Sequence, residues 1–507
     1  MSQQSPLYIK VHENDNVAIV VNSGGVPEGT TFPCGLTTVM HVPQAHKVAL
    51  KAFEKGNEVR RYNQIIGYAM QALPKGSWID ESLLEMPEPP SLDTMPLATE
   101  VPATLPPLEG YTFMGYRNTD STIGTRNILA LAPNVQCVAG LLLVAADKIR
   151  AELLPKYPNV DDVVALNHQY GCGVAIDAPD AVVPIRHLQN IIKNPNFGGE
   201  ALIVGLGCEK LAADQMCPGL KAEDMISMQE YPGFEACLAA LMEKAEERLV
   251  RLNKRVREVC PASALVMGVQ CGGSDAFSGI TANPSIGYAS DMLVRCGATV
   301  MFSEVTEVRD AVQMMTVRAR NKEVAGRIIE EMHWYDNYLA RGGVNRSSNT
   351  APGNKKGGLS NIVEKALGSI AKSGSSAIDH VLSPGELVDG RKGLIYANAS
   401  ASDFVCGTSQ ASSGITLQVF SSGRGTCYAL RMLPVIKIAS RTDLAEHWHD
   451  LVDINAGTIA TGDATIKQVG EQLFKLILET ASGSYIPWSD RWGIYNDLCV
   501  FNPAPIT

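Results

Sequence analysis

Short apolar runs alternate with turns over the first eighty residues: Leu7–Val11, Val17–Val21, Lys47–Leu50, Val59–Arg61 and Ile65–Ala69, punctuated by Gly24-Gly25, Pro27, Gly29 and Pro33. Runs of this length between glycine and proline turns predict a small all-β domain over residues 1–85. Residues 86–110 then carry seven prolines (87, 89, 90, 96, 102, 106 and 107) and little apolar periodicity, the pattern of an extended linker.

From Gly115 the period changes. Ile128–Ala132, Val163–Leu166 and Leu202–Gly205 read as strands, with helices over Val138–Leu153 and Ala181–Ile192 between them. Phe234–Val256 repeats apolar residues near the helical period. Alternation of this kind predicts a parallel sheet covered by helices, an α/β unit over residues 111–258. A further α/β unit is expected over 259–507, with strands at 264–269, 299–302, 393–397 and 415–420, an apolar segment at 431–438, and helices at 286–296, 321–340 and 464–481. Arg341–Gly358 reads as a long irregular loop, a frequent place for function. The fold class is multi-domain α/β, with the small β domain in front and largely parallel sheets behind.

Four segments share one pattern, Cys beside Gly after an apolar run, with polar residues close by: Asn167–Val174 (NHQYGCGV), Val204–Lys210 (VGLGCEK), Gln270–Pro284 (QCGGSDAFSGITANP) and Asp403–Gly414 (DFVCGTSQASSG). Strands ending in glycine-rich polar loops bring backbone N–H groups and small hydroxyls close to a ligand. The pattern points to an enzyme with a polar, metal-dependent site.

Composition narrows the field. Hydrophobic content of 45% and charged content of 19% are those of a globular protein. A net charge of −10, with no Lys/Arg run, argues against a nucleic-acid surface yet leaves room for a local cationic pocket. The N-terminus lacks the basic start and apolar core of a signal peptide. Ile128–Ile149 is interrupted by Pro133, Asn134 and Gln136 and does not read as a membrane span. The 12 cysteines are therefore expected in a reducing cytoplasm, where metal binding or chemistry is favoured over disulfides.

Several residues could carry chemistry. His46-Lys47 at a turn offers a proton carrier or metal ligand beside a cation. In Gly115–Asn127, Arg117 and Arg126 suit carboxylates and Asn118 and Asn127 suit hydroxyls. His168, Tyr170 and Cys172 follow a strand closely, placed for proton transfer or metal ligation. Cys208, Glu209 and Lys210 follow another, and Glu304 and Glu307 a third. Lys355 and Lys356 (PGNKKGG) and Arg424 (SSGRGT) sit in cationic glycine turns. The cysteine spacing fits no CxxC zinc site; three scattered cysteines holding an iron–sulfur cluster with one open iron is the alternative. Neither GxGxxG nor GxSxG is evident, against NAD and against an α/β-hydrolase.

Taken in order, DNVAIVV, HKVAL, GYRN…GTRN, NHQYGCG, GLGCEK, QCGGSDAFSGITANP, FSEVTEV, PGNKKGG and SSGRGT resemble the galactarate/altronate dehydratases, from about Leu7 to Thr507. YIKVH, GSWIDES, PPLEGYTF, LLPKYPNV, EKALGSIAKSG and FNPAP are similar to the galactarate branch rather than the altronate branch. The resemblance implies an N-terminal SAF-type (β-clip) domain, dependence on a divalent metal of the iron(II) type, and a hydro-lyase of sugar-acid catabolism. The expected reaction removes water from galactarate to give 5-dehydro-4-deoxy-glucarate, by metal-assisted abstraction of the proton α to a carboxylate. The alternatives are altronate or another sugar acid as substrate, an iron–sulfur-dependent hydro-lyase, or a carbohydrate-binding protein without catalysis.

On this reading His46, Lys47, His168 and Tyr170 are the acid/base candidates. Arg117, Arg126, Lys355, Lys356 and Arg424 are candidates for the substrate's carboxylates, and Asn118, Asn127, Ser274, Asp275 and Asn283 for its hydroxyls. Cys172, Cys208, Glu209 and Cys271 form the metal region. A homodimer with a small-molecule sugar-acid partner, and no membrane or nucleic acid, is expected. Two departures from the family pattern stand out. Its G-H-K turn is Ala45-His46-Lys47 here, compatible with alanine only if φ is not positive. Its S-T-G-R-G-T-P-Y-G is SSGRGTCYA, with Cys427 and Ala429 in place of proline and glycine.

Overall fold

Residues 5–220, 224–504 and 506 are described by a computed structural model of the chain; Met1–Gln4, part of the signal-peptide reading, lie outside them. The front of the chain forms two small antiparallel sheets. One pairs Tyr8–Ile9, Val17–Val20, Lys47–Ala49 and Trp78–Ile79 in that order, the other Glu58–Arg61, Gln64–Ala69 and Leu84–Glu85. Tyr62 and Asn63 turn the second hairpin with φ of 55° and 59°, the left-handed pair that matches strand twist. Val17–Val20 is buried on both faces, which explains its unbroken apolar run. Ala18 and Val20 pack inside the domain with Phe32 and Val48. Ile19 points the other way, into a cluster with Phe277, Ile280 and Leu359 of the C-terminal unit.

Residues 86–110 are extended, but strapped down rather than free. The Ala98 and Glu100 N–H groups donate to Thr316 and Val317 carbonyls at 2.8 Å, and the Leu108 N–H to Arg295 at 2.9 Å. Leu92 is buried in the main core.

Ile128–Pro133 is the centre of a parallel sheet with Asp162–Ala165 on one side and Leu202–Gly205, then Met225–Ser227, on the other. The helix expected over Val138–Leu153 is α-helical from Ala139 to Lys148 and finishes in a π turn, Ile149–Leu153. Phe234–Leu252 is helical, ending short of Val256. Thr112–Arg117 pairs antiparallel with Glu258–Pro261, a long-range ribbon without a strong sequence signal.

The C-terminal unit is built on a seven-stranded parallel sheet. Its order is Ile378–Leu382, Gly393–Ala397, Thr299–Phe302, Val266–Gly272, Leu417–Ser422, Val435–Ala439, Ile454–Asn455. The chain begins at the central Val266–Gly272, builds outward on one side, then returns to lay Leu417–Ser422 on the other. The C-terminal ends of those two strands are therefore a topological switch point, where open α/β sheets bind ligands. Two expectations are corrected here. Asp403–Gly414 is not a glycine loop after a strand but mostly a helix, Asp403–Ser412, whose small residues let it pack closely. Arg341–Gly358 contains two short helices, Arg346–Asn349 and Pro352–Lys356. No helix among the described residues is long and apolar enough to cross a membrane.

Candidate active site

The switch point brings together the two glycine loops that the sequence singles out. Gly272 and Gly273 end one strand, Ser422 and Gly423 the other, with Cys271 opposite Ser421 and Gly272 opposite Ser422 in register. Gly272 must be glycine, because a Cβ there would strike the Asp403 carboxylate. Gly273 has φ of 60° and packs beside Arg424. The PGNKKGG segment is pinned over this edge: Asn354 Nδ2 donates to the Ser274 carbonyl (2.8 Å) and the Ala276 N–H to Gly357 (2.8 Å). Lys355, Lys356 and Arg424 are thereby grouped, and none has a carboxylate partner among the described residues. The buried Ser274 hydroxyl has no hydrogen-bond partner among the described residues. Asp403, at the N-terminus of its helix, has its carboxyl raised to about 7 by burial and then by the charge of Glu307. The cations that act on it are Lys365 and Lys372, both paired with glutamates, and an acid balanced near neutrality at a switch point is a candidate for proton transfer.

Asp275 and Asn283, by contrast, are committed to the scaffold. The Asp275 carboxylate takes Ser440 Oγ (2.9 Å), Ser278 N (2.8 Å) and an ion pair with Arg441 (3.1 Å). Asn283 donates to Gly368 O (2.9 Å) and accepts from Ser421 Oγ (2.6 Å).

Beneath the crevice lies a buried charge cluster. The donor atoms of Cys271, Glu304 and Glu307 lie within 4.8 Å of one another, as metal ligands do. Their places are taken, however. Lys372 Nζ pairs with Glu304 and lies 3.2 Å from Cys271 Sγ; Lys365 pairs with Glu307 at 2.7 Å. Two ammonium groups already balance two carboxylates, so a divalent ion does not fit without expelling one. Cys271, expected in the metal region, is thus engaged by Lys372 here, and burial and then Glu304 push its thiol to about 12. Burial also raises Glu304 to about 7, against the pull of Lys372. Glu304 holds φ of 66°, a strained backbone for a non-glycine residue.

Lys47 is likewise wholly buried. It donates to Gly358 O (2.6 Å) and pairs with Glu364 (2.9 Å), which Arg61 also holds (2.5 Å). That makes Lys47 a clamp between the front domain and the C-terminal unit rather than a proton carrier. His46 accepts from Trp78 Nε1 at Nδ1 (3.0 Å) and sets Nε2 against Lys356 O (3.3 Å). It lines a cavity of about 650 Å³ with Trp78, Glu81, Lys355 and Lys356. Ala45 sits at φ 69°, the left-handed region that the alanine was expected to avoid.

At the C-terminal edge of the second unit's sheet, His168 is buried with both nitrogens used. Tyr170 N–H donates to Nδ1 (3.1 Å), so Nε2–H donates to Pro133 O (2.9 Å), and burial lowers its pKa to about 4. A histidine with no nitrogen to spare is a brace, which corrects its assignment as a base. Tyr170 is buried and its hydroxyl has no partner among the described residues. The Glu209 carboxylate is held by Asn134 Nδ2 (2.7 Å) and Gly207 N (2.6 Å). Cys172 and Cys208 are exposed, and so is Cys137, which residue spacing did not single out.

The Gly115–Asn127 hairpin does not reach the crevice contacts described above. Arg117 is exposed and paired with Glu258 (2.5 Å), and Arg126 is paired with Asp490. Arg255 donates to the side-chain oxygens of both Asn118 (2.6 Å) and Asn127 (2.5 Å). These four are corrected to structural ties, because their polar groups are engaged within the protein.

The chain matches family models along nearly its whole length: the altronate/galactarate dehydratase SAF domain over residues 6–87, the D-galactarate dehydratase/altronate hydrolase second domain over 115–253, and the D-galactarate/altronate dehydratase C-terminal domain over 262–506. The chain belongs to the galactarate/altronate dehydratase family. It is a hydro-lyase of sugar acids with an N-terminal SAF domain. It is 59% identical to the galactarate dehydratase (L-threo-forming) of Escherichia coli (strain K12) over 517 aligned positions, covering 100% of this chain and 99% of that one. The altronate dehydratase of Bacillus subtilis (strain 168) is 31% identical over 496 positions (94% and 96%), and that of E. coli 32% over 493 (94% and 95%).

Proposed function

We propose that this dehydratase acts on galactarate and forms 5-dehydro-4-deoxy-glucarate. One contrast carries the reading: 59% identity to a relative named for galactarate, against 31% and 32% to relatives named for altronate. The crevice suits such a substrate. Galactarate carries a carboxylate at each end, and Arg424, Lys355 and Lys356 are cations without a carboxylate partner among the described residues.

Asp403, ionised, accepts the proton α to a carboxylate. The negative charge then spreads onto that carboxylate, which the cations stabilise where it develops. Hydroxide leaves the adjacent carbon, takes a proton from an ammonium of the same wall, and departs as water. The resulting enol tautomerises to the ketone. An iron requirement belongs to the same proposal through the resemblance, and bound iron supplies Lewis acidity toward a substrate hydroxyl. A homodimer in the cytoplasm completes the reading, in keeping with twelve free cysteines.

The test is anaerobic turnover of galactarate and altronate with iron(II), following the keto-acid product by NMR. Galactarate is expected to be the better substrate. Turnover of altronate alone would overturn the assignment.

A further inference from the structure

Three neighbouring parallel strands of the second unit end side by side, and each passes within a few residues to an exposed cysteine. Leu131 stands opposite Ala165, and Pro133 opposite Val204, so Cys137, Cys172 and Cys208 leave the sheet from one edge. Backbone bonds knit their loops together: Gln136 N–H to Tyr170 O (2.9 Å) and Asn134 N–H to Val204 O (3.2 Å). Gly171, at φ 107°, lies so close to Asn134 and Val135 that a Cβ would strike their backbone. The Cys137 thiol adjoins that of Cys172, and Cys208 lies close by. Three of the five exposed cysteines thus gather at one place.

The surroundings are those of an unfinished site. Tyr170 Oη, Asn134 Oδ1 and Asn167 Oδ1 are buried on these same loops without a partner among the described residues. Among the described residues no lysine or arginine bonds the three thiols, in contrast to Cys271. The spacing selects the occupant. A single tetrahedral ion, with metal–sulfur bonds of about 2.3 Å, needs sulfurs about 3.8 Å apart. Among the described residues, Cys271–Glu304–Glu307 is the trio whose donors all lie within 4.8 Å, so the three thiols spread wider than that. A cluster, whose irons each take one thiolate, accepts the wider spread, and soft thiolates favour it.

We propose that Cys137, Cys172 and Cys208 hold an iron–sulfur cluster of the [4Fe–4S] type, with one iron left without a protein ligand. On assembly, iron(II) and iron(III) in equal number combine with sulfide, and the three thiols give up their protons to solvent and become ligands, so no further oxidant is needed. Resting on the dehydratase reading, a cluster held by these cysteines would supply Lewis acidity toward a substrate hydroxyl at its open iron.

The test is anaerobic reconstitution of the full chain with iron(II), iron(III) and sulfide, followed by gel filtration, iron and sulfide analysis and a visible spectrum. Wild type is expected to retain about four irons and four sulfides with broad visible absorption. C137S, C172S and C208S lose them, with unchanged circular dichroism; C34S, at an exposed cysteine of the SAF domain, keeps them. Iron bound without sulfide, or a cluster that survives C137S, overturns the proposal. A protein that carries the cluster but does not turn over galactarate supports the site and overturns only the substrate.

Discussion

Lys47 of the SAF domain and Glu364 of the C-terminal unit pair at 2.9 Å with neither side chain exposed, and Arg61 closes on the same carboxylate. Ser360 N–H donates to it as well, at 2.8 Å. Glu364→Gln would leave two buried cations facing a neutral amide, a change that costs about 3–5 kcal/mol. Thermal unfolding should show the loss; a variant that melts with wild type would show that the apolar contacts of Ile19 and Phe277 suffice. The pH dependence has a definite sign. Burial alone would raise the Glu364 carboxyl, but Lys47 and Arg61 outweigh it and hold it at about 2. Its stabilisation is therefore present above the ordinary value of 4.5 and lost as pH falls from there through 2.

Asp403 is protonated below its raised value of about 7. As the base, it makes kcat/KM climb as pH rises through 7 and level off above. Asp403→Asn should remove that limb and lower kcat by about 10²–10⁴-fold. A wild-type profile that is flat across neutrality would sink the assignment. The same shift acts oppositely on stability: the folded state holds the proton more tightly, so this group's contribution declines between pH 3.8 and 7.

Arg424→Ala should raise KM for galactarate about 10- to 100-fold, the worth of a charge-assisted hydrogen bond of about 1.5–3 kcal/mol. Stability should be unaffected, because the guanidinium is exposed. Inhibition by a simple dicarboxylate should weaken in parallel; unchanged inhibition would place the carboxylate elsewhere.

His168→Ala breaks two hydrogen bonds that fix the loop carrying Cys172. A brace predicts a stability loss of about 1–3 kcal/mol and a pH profile of unaltered shape in whatever activity survives. Loss of a titrating limb in that profile would restore the histidine as a base.

Ala45 occupies the left-handed region at φ 69°, which costs an L-residue about 1–2 kcal/mol. Ala45→Gly relieves this but frees the unfolded chain, at about 0.4–1 kcal/mol. The net expectation is a higher melting temperature, by up to about 1 kcal/mol of stability. A lower one would mean that burying the Ala45 methyl outweighs the strain.

Strand positions were readable where periodicity was strong: Leu202–Gly205, Thr299–Phe302 and Gly393–Ala397 fall where apolar runs place them. Asp403–Ser412 was misread because Gly407 and its serines resemble a loop, and only packing makes them a helix. Motif chemistry pointed to Lys355, Lys356 and Arg424, which have no carboxylate partner among the described residues. It could not separate them from Arg117 and Arg126, since Glu258 and Asp490 lie 141 and 364 residues away in sequence. Asp403 and Cys137 escaped for a related reason. A raised carboxyl and a gathering of thiols both arise from tertiary neighbours, and neither leaves a local trace.

The strap over residues 86–110 decides how the SAF domain meets the rest of the protein. Its backbone is bonded to Thr316, Val317 and Arg295, so little slack separates His46 from the wall it faces. Docking is in effect a reaction between two ends of one molecule, at an effective concentration set by a taut tether rather than by diffusion. A nick in that strap would turn the same contact into a bimolecular one, and the completeness of the cavity around His46 would then depend on dilution.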